Sequence, residues 1–111
     1  MGLIAVDFDN TICDTGGAKI GVFPPPLAGA REALNVLREA GHKIMIFSCN
    51  SPVWIERWMN EFDIRYDYMW KSGDGAKPMY DLLIDDRALR FVDWTRALNE
   101  AQTILGPVAR P

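Results

Sequence analysis

Apolar residues along this chain come in short runs, separated by longer stretches in which they recur at helical spacing. Residues 3–8 are apolar until Asp7 and predict a short buried strand. Gly16-Gly17 and Pro24-Pro25-Pro26 break the chain next, so 14–26 reads as a loop. Across 27–40, Ala30, Ala33, Leu34, Leu37 and Ala40 share one helical face, and Gly41 supplies a stop. Residues 43–47 form a second apolar run that ends at Ser48. Ser51 is placed to cap a second helix with Pro52 at its first position; that helix extends to about Phe62 and carries Trp54, Ile55, Trp58 and Met59. Residues 64–70 predict a third strand, with Tyr66 and Tyr68 alternating against Arg65 and Asp67. A polar turn over 71–78 leads into a fourth strand, 80–84, which runs into Asp85-Asp86. Phe91-Val92 reads as a short edge strand, Asp93 as the cap of a last helix reaching about Leu105, and 106–111 as a frayed tail.

Strand–helix alternation of this kind predicts an α/β fold, a Rossmann-like three-layer sandwich whose central sheet is parallel and joined by right-handed crossovers. At 111 residues, with no internal repeat or linker, residues 1–111 make one domain. A net charge of −3 gives no basic footprint for broad nucleic-acid binding. Cys13 and Cys49 are too few for a disulfide framework and lack zinc-site spacing. No apolar stretch is long enough to span a membrane or to act as a secretory signal, so a cytoplasmic location is expected.

Candidate chemistry sits at the strand ends. Asp7 and Asp9 follow the first strand with Thr11 two positions on; Ser48 follows the second; Asp85 and Asp86 follow the fourth; Lys77 lies in the turn before it. In an open parallel sheet all of these converge on one edge, where ligands bind. Two carboxylates about 4 Å apart repel by roughly 4 kcal/mol at an effective dielectric near 20. A shared proton, a lysine or a divalent cation must offset that cost. Mg²⁺ fits, since it takes one or two carboxylates together with water and phosphate oxygens.

The set Asp7-x-Asp9-x-Thr11, Ser48, Lys77 and Asp85-Asp86, in this order, resembles the haloacid dehalogenase-like (HAD) phosphohydrolases over nearly the whole chain. That resemblance implies a Mg²⁺-dependent hydrolase, a phosphatase that works through an aspartyl-phosphate on Asp7. By position, Asp9 would be the acid/base, its carbonyl touching the metal, and Thr11 would orient Asp9. Ser48, with Cys49 and Asn50 beside it, and Lys77 would bind the transferred phosphoryl group, and Asp7, Asp9, Asp85 and Asp86 would hold the metal. Position 10 is Asn where Gly is commoner, and Lys77 is close to Asp85, which leaves Lys71 as a competitor for the amine. The Ile84-Asp85-Asp86-Arg87 run is also similar to polynucleotide phosphatases, so a nucleic-acid 3′-phosphate joins sugar phosphates among the expected substrates. The segments at 14–26 and 71–77 are too short to fold as a cap domain. An open, capless site suits a bulky substrate or a neighbouring subunit that covers it, as in a homo-oligomer. The alternative is a non-catalytic module that responds to phosphate or Mg²⁺. A two-component receiver and a carboxylate-cluster nuclease are further rivals.

Plainer roles compete for several residues. Trp54 and Trp58 at helical spacing read as core. His42 reads as a partner of a helix C-terminus. Cys13 and Cys49, taken alone, read as small packing residues, and Arg87 either pairs with an acid or touches substrate.

Overall fold

The computed structural model describes residues 2–17, 23–71 and 79–106. Four strands, β1 (Leu3–Val6), β2 (Lys43–Phe47), β3 (Tyr68–Trp70) and β4 (Leu82–Ile84), form one sheet in the order β3-β2-β1-β4. Every pairing is parallel, with Val6 opposite both Ile46 and Ile84. Helices α1 (Ala30–Glu39), α2 (Pro52–Glu61) and α3 (Trp94–Leu105) complete an α/β, Rossmann-like architecture. No helix among the described residues is long and apolar enough to cross a membrane.

Side chains alternate across the sheet, and one face carries Ile4, Val6, Ile44 and Ile46, all buried. Leu34 of α1 and Ile55, Trp58 and Met59 of α2 close over that face. Ser51 caps α2 as its position predicts, its hydroxyl accepting from the Trp54 N–H at 3.4 Å. α1 begins later than 27 because Gly29, at φ 84°, turns the chain into it. The other face buries Ala5 and Met45, and beside them the Phe47 ring meets Trp70 and Tyr80 at 4.9 and 6.2 Å.

Arg38 ties α1 to the sheet. Its guanidinium donates to both Asp67 carboxylate oxygens, at 3.2 and 3.3 Å, while the Ile44 N–H donates to Asp67 at 2.9 Å. Burial alone would raise the Asp67 carboxyl, but these hydrogen bonds and the Arg38 and Lys43 charges draw it below the usual carboxylate range.

Several elements differ from the hydrophobic pattern. β1 stops at Val6 rather than running to Phe8, because the chain turns there and sends Phe8 into the core. β3 is three residues long: Asp63 adopts a left-handed turn (φ 51°), and Ile64 packs into the core from irregular chain. The Phe91-Val92 edge strand does not form; both side chains are exposed, and β4 pairs with β1 alone among the described residues. His42 does more than sit beyond a helix end, since its Nδ1 accepts from the Gly2 N–H at 3.0 Å and joins the start of β1 to the end of α1.

Candidate functional site

The end of β1 lies between the ends of β2 and β4, and the register of those pairings builds the site. Past Val6, the Asp7 N–H donates to the Ile84 carbonyl at 2.9 Å. Asp7 and Asp85 therefore leave the sheet side by side. Carboxylate oxygens of Asp7, Asp85 and Asp86 lie within 4.8 Å of one another. The convergence expected of the first and fourth strand ends is thus present. Asp85 also accepts from the Arg87 N–H at 2.7 Å, which closes the turn after β4. The Arg87 guanidinium approaches Asp86 at 3.9 Å from solvent.

Three like charges so close cannot all be comfortable. Burial pushes the Asp7 carboxyl up to about 6, helped by a hydrogen bond with Asp86 and by the charge of Asp85. Three clustered carboxylates match the oxygen donor set of a hard divalent cation. Such an ion would offset the repulsion among Asp7, Asp85 and Asp86.

After Asp7 the chain folds back on itself. Phe8 is fully buried, and its ring meets Trp54 and Trp58 edge to face at 5.8 and 5.0 Å. Its carbonyl accepts from the N–H groups of Thr11, Ile12 and Cys13 at 3.0–3.3 Å. Asn10, at φ 59°, supplies the left-handed residue that this turn requires, a conformation Asn tolerates better than most. Its side-chain oxygen accepts from the Gly16 N–H at 3.3 Å.

This turn corrects one assignment. Thr11 does not orient Asp9; its hydroxyl donates to Asp7 at 3.4 Å. Asp9 is held instead by Thr15, whose hydroxyl donates at 2.9 Å, and by the Asn50 amide at 3.4 Å. Asp9 lines the same cleft without belonging to the three clustered acids. Thr15 was not among the expected site residues. It lies six positions after Asp9, in a 3₁₀ turn (Thr15–Gly17) that no periodicity announces.

From the other side, the loop after β2 brings Ser48, Cys49 and Asn50 to the same cleft, whose volume is about 300 Å³. Ser48 is buried, and its hydroxyl accepts from the Asn50 N–H at 3.1 Å, which leaves its own proton for another acceptor. Cys49 is exposed and outside any disulfide, while Cys13 is buried, and burial raises its thiol pKa. Lys77 lies outside the described residues. Lys71 follows β3 at the far edge of the sheet, two strands from Asp7.

A larger cavity, about 470 Å³, opens at the opposite end of β2, beside Arg31, Arg38 and Lys43. Two ion pairs span it, Arg31–Asp63 and Arg38–Asp67, so its charge serves the fold. The clustered acids line the smaller cleft.

No family model matches the sequence, and no curated protein matches it. Among solved structures, a conserved protein from Bacteroides thetaiotaomicron is similar to 94% of this chain over 91% of its own, with a TM-score of 0.60 and 22% identity. That likeness places the chain in the class its sheet already defines, the Rossmann-like α/β domains.

Proposed function

We propose that this chain is a Mg²⁺-dependent phosphatase of the haloacid dehalogenase-like type, cleaving phosphomonoesters through an aspartyl-phosphate on Asp7. One observation carries the proposal. Asp7, Asp85 and Asp86 meet within 4.8 Å at the strand ends, while Asp9, outside that cluster, lines the same cleft and accepts from its own hydroxyl donor, Thr15. That arrangement divides the acids into a charge cluster and a proton carrier.

In this mechanism an Asp7 carboxylate oxygen attacks phosphorus, and the bond to the ester oxygen breaks. Asp9 gives its proton to the departing alkoxide. Water then attacks the aspartyl-phosphate, losing a proton to Asp9, and phosphate leaves with Asp7 restored. The Ser48 hydroxyl and the backbone of the 48–50 loop face the phosphoryl oxygens, and the motif lysine, Lys77 or its competitor Lys71, adds positive charge there. Mg²⁺, held by Asp7, Asp85 and Asp86 with the Asp9 carbonyl, would supply the charge that the transferred group needs. A cleft this open suits a phosphate on a bulky body, such as a nucleic-acid 3′ end or a sugar.

The test is hydrolysis of an aryl phosphate with Mg²⁺, with EDTA and by Asp7→Asn, followed by a panel of sugar phosphates, nucleotides and 3′-phosphorylated oligonucleotides. Turnover should require both the metal and Asp7; activity that survives the chelator and the substitution overturns the mechanism. The small open cleft also favours a second reading, a module that binds phosphate or Mg²⁺ without turnover. Tight binding of beryllofluoride with no measurable hydrolysis would select it.

A further inference from the structure

A helix of twelve residues is marginal in water unless it packs against something. In α3, Trp94, Ala97, Leu98, Ala101, Ile104 and Leu105 share one stripe, and Thr95, Asn99 and Thr103 lie opposite. Among the described residues, little covers that stripe. Ala97 is the buried residue of the helix, while Trp94 is 79% exposed, Ile104 71% and Leu105 84%. Phe91, also exposed, meets Trp94 edge to face at 5.2 Å and extends the apolar surface beyond the helix.

Together Phe91, Val92 and the α3 stripe present on the order of 700 Å² per chain, above the roughly 300–600 Å² of the largest patch on a typical monomer. About 800 Å² is what each partner contributes to a stable interface of ordinary size. Charge narrows the choice of partner. The only ionic side chains of α3 are Arg96 and Glu100, and they pair with each other at 2.9 Å. Beyond Arg96, which Glu100 neutralises, the polar face lacks the lysines and arginines of a helix that lies on anionic lipid. A neutral stripe offers nothing specific to nucleic acid or to an acidic peptide. A second copy brings the same stripe and no opposing charge.

We propose that α3, with Phe91 and Val92, is the interface of a two-fold homodimer. In an antiparallel pair, Ala97 and Ala101 fall at the crossing, where small side chains let two helices approach closely. Trp94 and Leu98 of one chain then cover the Ile104–Leu105 end of the other. This inference stands whether or not the cleft hydrolyses phosphate.

Sedimentation velocity of the full chain, from about 1 to about 100 μM, tests it through mass action. The mass should climb from 12.5 kDa toward twice that value. Leu98→Glu combined with Leu105→Glu should weaken dimerisation at least tenfold, and the milder Trp94→Ala should weaken it measurably with an unchanged circular dichroism spectrum. Asn99→Glu, on the opposite side of the helix, should leave it unchanged. A wild-type chain that stays at monomer mass throughout overturns the proposal. So does a dimer indifferent to Trp94→Ala, or one that Asn99→Glu disrupts equally.

Discussion

The Asp7 N–H donates to the Ile84 carbonyl at 2.9 Å, and that single hydrogen bond sets the acids of two distant segments next to each other. A one-residue slip of β4 would turn its side chains over and move Asp85 away from Asp7. The crowding of the site is therefore a property of strand register.

That crowding should appear in the dependence of stability on pH. Burial, then Asp86 and Asp85, raise Asp7 from 3.8 to about 6. The folded chain thus holds this proton more tightly than the unfolded chain does. The stabilisation Asp7 contributes is complete below about pH 4 and is lost as the pH rises through about 6. In EDTA, the thermal midpoint of the wild type relative to Asp7→Asn should fall between about pH 4 and about pH 6. Mg²⁺ should remove most of that fall, and its own affinity should weaken as the pH drops below about 6. Melting curves and calorimetric titration at several pH values check both.

Thr15→Val should lower turnover about ten- to a hundredfold, since a hydrogen bond to a charged group is worth about 1.5–3 kcal/mol. The hydroxyl acts by positioning Asp9, so the loss should fall on kcat with KM little changed, and Thr15→Ser should restore it. Thr11→Val touches Asp7 through a longer hydrogen bond, so its effect on turnover should be smaller.

How much of this was legible in the residues follows from physical range. Parallel strands bring their carboxyl ends to one edge, so the meeting of Asp7 with Asp85 and Asp86 could be expected from alternating runs alone. Ser51 and Asp93 announced their helices because a cap acts within three residues. Thr15 was hidden, because its approach to Asp9 depends on a turn built around the Phe8 carbonyl and a left-handed Asn10. Phe91-Val92 imitated a strand; hydrophobicity marked that both side chains seek cover but not what provides it. The Arg38–Asp67 pair was equally silent, since 29 positions separate its members.

Trp58 should be the costliest single position in the support of the site. Its ring lies fully buried against Phe8, and its Nε1–H donates to the Pro24 carbonyl at 2.7 Å. Trp58→Phe keeps most of the packing but strands that carbonyl, at a cost of about 1–3 kcal/mol. Trp58→Ala should cost about 3–5 kcal/mol. Urea unfolding followed by far-ultraviolet circular dichroism measures both.

Two arginines on α1 should behave differently although both form ion pairs with aspartates. Arg31 and Asp63 are exposed, so Arg31→Ala should change stability by about 0–1 kcal/mol. Arg38 meets Asp67 where both are largely covered, and Asp67 also accepts from the Ile44 N–H, so Arg38→Ala should cost about 1–3 kcal/mol. Acid separates them further. Asp67 lies below its ordinary 3.8 in the folded chain, so its contribution is present above that value and is lost as the pH falls through the lowered one. Arg38→Ala should lift Asp67 back toward the ordinary range. The stability gap between the wild type and Arg38→Ala should therefore hold steady above about pH 5 and close under acid, while Arg31→Ala tracks the wild type throughout. Urea titrations at a series of acid pH values would show a persistent gap if Arg38 acts through packing of its aliphatic stem alone.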